Sequence, residues 1–161
     1  MEVQYPLVFF TLFLCLSSGM LLFQGVCALR GAGTKRFHTV MLAAELAVLA
    51  VGGFSSFLHL HHWERIFNGF GHLTSGITQE LIGIVVTVVV LAVLFGVLRK
   101  AEDGERALPK WCGILAVVVG VIMGFVCAHS YFMPARPAWA NLTLYLYYYA
   151  SELVLGAAGT W

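Results

Sequence analysis

The 161 residues are 60% hydrophobic and only 11% charged, with nine bases, eight acids and a formal net charge of +1. A soluble domain is roughly 25% charged, and so few charges cannot coat a globule of this size. The balance excludes a nucleic-acid binder, which needs a basic stripe. The apolar content, with a mean hydropathy of +0.89, excludes a disordered chain and leaves a polytopic membrane protein.

A helix needs about 20 apolar residues to cross the hydrocarbon layer. The chain supplies such runs at about residues 6–29, 38–60, 77–98 and 111–132. A fifth segment, 141–161, is long enough to cross in part or in full but carries Glu152 near its middle. The expected fold is therefore all-α: a transmembrane helix bundle of four clear spans plus a fifth, forming one integral membrane domain over residues 1–161. The first run is not a cleaved signal peptide, because it lacks a basic leader and exceeds the usual ~7–15 apolar residues. Cys15, Cys27, Cys112 and Cys127 lie in or beside the apolar runs with no C-x-x-C pair. They read as small apolar thiols rather than a metal or disulfide framework. Gly120 and Gly124 form a G-x-x-x-G on the fourth run, which lets helix backbones approach closely. Gly52 and Gly53 are expected to do the same on the second.

Lys and Arg in short connections set the orientation. Arg30, Lys35 and Arg36 occupy the first connection, and Arg99, Lys100, Arg106 and Lys110 the third. The second holds only Arg65 and the fourth only Arg136. Seven of nine basic residues thus fall on one side, which should be cytoplasmic. The N-terminus, the His-rich second connection and the fourth connection then face outward, as in a multi-pass protein of the cytoplasmic (inner) membrane.

No Lys or Arg lies inside a run, so the ionisable residues at membrane depth are Glu45, Glu80, Glu152, His59 and His129. Such residues are costly in lipid and are functional candidates by default. Depth sorts them. His59 ends the second span, Glu80 lies about 5 Å inside the start of the third at ~1.5 Å per residue, and His129 and Tyr131 close the fourth. These groups share one level near the outer interface, while Glu45 and Glu152 lie deeper or nearer the cytoplasm. Interfacial His and Tyr also serve as headgroup anchors. A carboxylate just inside the apolar layer, however, is a candidate proton acceptor near neutral pH. A His and a carboxyl on one cavity suit a two-proton substrate such as a quinol, one group for each hydroxyl. Haem is a competing use of His59 and His129, yet nothing supplies the paired histidines at both ends that a two-haem relay needs. His59, His61 and His62 are split between a helix and a connection, so no metal site is expected.

Leu58-His59-Leu60, followed by Arg65, Phe67-Asn68 and Gln79-Glu80, resembles the membrane anchor subunit of dimethyl sulfoxide reductases (DmsC-like, related to the NrfD-like quinol-interacting anchors). The family shows a Leu-His-Leu ending its second span, then an Arg and a Phe-Asn, then an Asn-Glu opening its third. Tyr5-Pro6-Leu7, Phe10-Thr11, Tyr131, Pro137-Ala138-Trp139 and Leu155-Gly156 extend the resemblance over nearly the whole chain. It implies an anchor that holds a molybdopterin catalytic subunit and an iron–sulfur subunit on the outer face. Such an anchor oxidises quinol, usually menaquinol, carries no haem or cluster itself, and takes no part in the terminal reduction. It also implies that His59 and Glu80 act on the quinol's protons, within a quinol-binding set of His59, Arg65, Asn68, Glu80 and Tyr131. The chain departs from the family in three places. His61-His62-Trp63-Glu64 stands where the family has a small or Pro-containing link, Glu152 where it is usually small or apolar, and the chain holds about five spans against about eight. A truncated chain is the expectation from that difference. Two readings compete with the quinol-oxidising anchor: a small proton-coupled transporter using Glu45 or Glu80, and a purely structural anchor or assembly protein.

Overall fold

The computed structural model describes residues 5–59, 72, 74–102, 106–134 and 139–161, with the side chains of residues 58 and 59 left out. Five helices follow in order: α1 (Tyr5–Arg30), α2 (Lys35–His59), α3 (Gly76–Lys100), α4 (Lys110–Ser130) and α5 (Leu142–Thr160). There is no strand among the described residues. The first four helices are long and apolar enough to cross a membrane. The 19 residues of α5 form a helix of nearly the same length, made less apolar by Glu152 and its run of tyrosines.

The helices are apolar on every side, so hydrophobic patterning cannot choose their neighbours. In lipid that choice falls to close packing and small residues. α1 is the centre of the bundle, packed against α2, α4 and α5, while α3 packs on α4 and more loosely on α2. α1 meets α4 where Gly25 and Gly113 face each other: a Cβ on either would lie 2.8 Å from the other's carbonyl oxygen. It meets α5 at Gly19 and Gly156, whose backbones touch so closely that a Cβ on either would strike the other helix. The two glycines of the G-x-x-x-G serve different neighbours. Gly120 admits Leu22 and the Ser18 carbonyl of α1, and Gly124 admits the Glu152 carboxyl and the Tyr149 ring of α5. Gly52 packs on Phe13 of α1, but Gly53 faces open space. The expectation of close approach therefore holds for the first of that pair and not the second.

The basic end of the bundle is tied by side-chain donors to backbone carbonyls. α1 ends in a Schellman turn: the Ala32 N–H donates to Cys27 O (2.8 Å) and the Gly31 N–H to Ala28 O (3.2 Å), with Gly31 at φ 69°. Glycine reaches that left-handed conformation at little cost. Arg106, from the connection between α3 and α4, donates to the Ala28 carbonyl and, at 2.6 Å, to the Leu29 carbonyl. Both carbonyls belong to the helix's last turn, which lacks intrahelical partners. Lys35 Nζ donates to Ala101 O at 2.6 Å, joining the start of α2 to the end of α3. Thr34 caps α2 by accepting from the Phe37 N–H (3.2 Å), as a helix N-terminus requires.

Candidate functional site

Opposite the basic end, α3 begins against the end of α4. Gly76 makes this approach possible, since a Cβ there would lie 2.8 Å from Ser130 Cα and Cβ. Gly76 and Glu80 are four residues apart and so share one helix face. The same contact therefore brings Glu80 to Ser130. Ser130 Oγ lies 2.5 Å from Glu80 Oε1, to which it donates, and 3.0 Å from the Cys127 carbonyl, an alternative acceptor for the same hydrogen. Glu80 is only 6% exposed.

Glu80 also lines an apolar cavity of about 140 Å³ between α1, α2 and α3, shared with Phe10, Gly53, Ser56 and Phe57. Gly53 widens it, because a side chain there would fill the open space. Among the described residues Glu80 supplies the one carboxyl of this cavity's lining. A hydroxylated aromatic ring entering it would meet apolar walls on most sides and one proton-accepting oxygen.

The surroundings of Glu80 continue away from the cavity into the bundle. Cys15 and Cys127 are buried free thiols, and both lie within electrostatic reach of Glu80. Tyr131 closes α4 within the same reach. Its ring stacks on that of buried Tyr148, centroids 5.8 Å apart and planes 16° off parallel. This stack ties the end of α4 to α5, and neither tyrosine is among the described residues that line the cavity.

The expected site residues are placed as follows. Glu80 and Tyr131 fall at one level and in one neighbourhood. His59 is the last residue of α2, and its side chain lies outside the described atoms. Arg65 and Asn68 lie outside the described residues. His129 shares the level but not the direction: it stacks on Phe125 (5.7 Å) and lies 3.0 Å from the Tyr145 hydroxyl, on an exposed face. Ser130 takes the place beside Glu80. The sequence reading missed it; the signal was a hydroxyl in the last turn of α4 at the depth of a buried carboxylate.

Glu45 and Glu152 are fully buried elsewhere, and neither carboxyl meets a hydrogen-bond partner among the described residues. Glu152 fits because Gly19 and Gly124 leave it room. The Ser18 hydroxyl stands beside it but donates to the Cys15 carbonyl at 3.2 Å. Glu45 lies along α1 at Ser17, whose hydroxyl meets the Glu45 backbone carbonyl at 3.4 Å. Among the described residues no group of three His, Cys, Asp or Glu side chains is arranged to hold a metal.

The family model for the DMSO reductase anchor subunit (DmsC) matches residues 1–160. No curated protein and no solved structure matches the chain.

Proposed function

The chain belongs to the family of DMSO reductase anchor subunits, and from that premise we propose that it oxidises a quinol, menaquinol in the first instance, at the Glu80 cavity. Membership implies a multi-pass membrane anchor associated with the catalytic and electron-transfer subunits of a DMSO reductase-type complex. The observation that carries the finer reading is a buried carboxylate, hydrogen-bonded to Ser130, on the wall of an apolar cavity among three helices.

Quinol oxidation releases two electrons and two protons. Glu80 takes one hydroxyl proton at a carboxyl oxygen. Ser130 suits both states of that carboxyl. It donates to the carboxylate, and once Glu80 carries a proton, Ser130 Oγ accepts from it while its own hydrogen turns to the Cys127 carbonyl 3.0 Å away. His59 takes the second proton from the end of α2. The electrons pass to an iron–sulfur cluster in the electron-transfer subunit, and the terminal reduction belongs to the molybdopterin subunit. Arg65, Asn68 and Tyr131 complete the binding set. No haem or cluster resides in this chain on this reading.

The test separates two activities of the assembled complex: turnover fed by quinol, and turnover fed by an artificial donor that reduces the partner subunits directly. His59→Ala should lower the first by about 10²-fold, the lower end of the ~10²–10⁴-fold range for a lost proton acceptor, and spare the second. Loss of both at matched assembly would assign the chain a purely structural role.

The orientation proposed from the Lys and Arg bias, with the N-terminus outside, puts the Glu80 end of the bundle at the outer face. A tag in residues 64–71 should then react with an impermeant label on intact cells, and one in 101–107 should not. Protection of the first tag would reverse the topology and move the docking face to the other side.

A further inference from the structure

Glu152 is a buried carboxyl that the Glu80 cavity does not use. It is fully enclosed, and neither oxygen meets a hydrogen-bond partner among the described residues, an arrangement that costs free energy in an apolar interior. Packing alone does not call for it, since the room beside Gly124 would take a leucine equally well. Its surroundings repeat those of Glu80. On α4, Ser130 stands beside Glu80, 3.0 Å from the carbonyl of Cys127 three residues back. On α1, Ser18 stands beside Glu152, 3.2 Å from the carbonyl of Cys15 three residues back. Each carboxyl thus has a hydroxyl whose hydrogen can turn to a backbone carbonyl when the carboxyl carries a proton. The two places are connected. Gly124 beside Glu152, then Cys127, then Ser130 beside Glu80 follow at three-residue steps along one row of α4, a rise of about 9 Å at ~1.5 Å per residue. The buried thiols of Cys15 and Cys127 lie within electrostatic reach of both carboxyls. Beyond them a cavity of about 140 Å³ opens between α1 and α5. Cys15 lines it with the hydroxyl-bearing Thr11, Tyr148 and Ser151. Tyr148 and Leu155, which flank Glu152 on one face of α5, line it too.

We propose that Glu152 is a second proton-holding group, which takes the proton that Glu80 receives from the quinol and releases it to water in the cavity between α1 and α5. The inference rests on the quinol reading of the Glu80 cavity. In the first step an O–H bond at Glu80 breaks and one at Glu152 forms. In the second the Glu152 O–H bond breaks and water carries the proton away. No electron moves, and both carboxyls end ionised. The rise of about 9 Å far exceeds a single hydrogen bond of about 3 Å. Water therefore bridges the row past Cys127, held by the free Glu152 oxygens and the two serine hydroxyls, the polar partners that a buried water needs. The proton thereby leaves Glu80 on the side away from the ring. Glu80 is ready for the next quinol even while the oxidised ring still occupies its cavity.

The test compares two regimes of the assembled complex: the first turnover after rapid mixing with menaquinol, read as reduction of the electron-transfer subunit, and the steady state. Glu152→Gln keeps the side chain's size and leaves Glu80 and its cavity intact. Its first turnover and its quinol KM should stay within about twofold of the wild type, the pattern of an unchanged ring site. Its steady-state kcat should fall by about 10²-fold, the lower end of what a positioned proton acceptor supplies, because Glu80 can no longer pass its proton on. Glu152→Asp, which returns a carboxyl on a shorter stem, should recover part of that loss. Should glutamine lower assembly, Glu152→Leu removes the carboxyl at similar volume and should give the same split between the two regimes. Glu80→Gln should be slow in both. A wild-type steady state in Glu152→Gln overturns the second proton site and leaves Glu152 as filling. A first turnover slowed as much as kcat overturns it too, and assigns Glu152 to the ring site or to packing. If Glu80→Gln is as fast as the wild type in both regimes, the quinol reading of the cavity falls first, and this inference with it.

Discussion

Glu80→Gln is expected to lower quinol-dependent turnover of the assembled complex by about 10²–10⁴-fold, the usual cost of losing a positioned proton acceptor. Glutamine has the same size and keeps an oxygen for the Ser130 hydroxyl, so the contact between α3 and α4 persists. What it loses is the ability to take a proton from the substrate. Activity with the artificial donor should stay within about twofold, because the electrons then bypass this chain and the partner subunits' own ~1–10³ s⁻¹ turnover is untouched. Glu45→Gln provides the comparison. Glu45 is as deeply buried but lies at Ser17, far along α2 from the cavity, so its quinol activity should remain near that of the wild type. The measurement is the ratio of the two activities at matched amounts of complex. An unchanged ratio in Glu80→Gln would remove Glu80 from proton transfer. A large loss in Glu45→Gln would instead favour a proton-coupled transporter, with the deep carboxyls as carriers.

A second large effect is expected at the crossing of α1 and α5. Gly19→Leu or Gly156→Leu should prevent the folded bundle from accumulating. Overpacking a core normally costs about 1–3 kcal/mol, because side chains can shift. At this crossing the obstruction is backbone on both sides, so relief requires the helices to separate and the cost should exceed that range. Separation would also strip Glu152 of its enclosure and unseat the Tyr131–Tyr148 stack. Thermal unfolding of the solubilised complex, together with the yield of assembled protein, measures the effect. Gly96→Ala is the matched control, since a methyl there meets nothing within 4 Å and replaces glycine by a better helix former. Its yield should equal or exceed that of the wild type. Equal stability of Gly19→Leu and the wild type would show that α5 does not pack on α1 as described.

The helices themselves were legible because apolar runs of more than 20 residues have few alternatives in a membrane. At the basic end of the bundle α1 to α4 begin or end where Lys and Arg interrupt those runs. Neighbour choice was much less legible. Gly113, Gly19 and Gly156 decide the two crossings of α1, yet nothing local distinguishes them from Gly53 or Gly96, which meet open space. A glycine's role depends on what stands opposite, and that is set by residues about 90–140 positions away. The same limit applies to the site. Glu80 stood out because a carboxylate in an apolar run is conspicuous, and depth alone put it level with the end of α4. Depth gives height along the bundle but no angle around it. His129 therefore had the right height and turns toward Tyr145, while Ser130, one residue on and rotated about 100° by the 3.6-residue turn, faces Glu80. The serine drew no notice because small hydroxyls are ordinary in membrane helices.

The central position of α1 reverses the order in which the chain is made. α1 is synthesised before the partners that complete it: its last-turn carbonyls await Arg106 and its Gly19 face awaits Gly156. At about 5–20 residues per second, Gly156 emerges roughly 7–27 s after Gly19. Until α4 and α5 follow, Ser17, Ser18 and Gln24, all buried in the finished bundle, have only α2 and lipid beside them. The Gly19 face of α1 therefore stays open to lipid until α5 arrives. Biogenesis of this subunit should accordingly depend on insertion factors that shelter the hydroxyls and amide of Ser17, Ser18 and Gln24, and a pause in translation before α5 should expose the nascent chain to membrane-bound proteases.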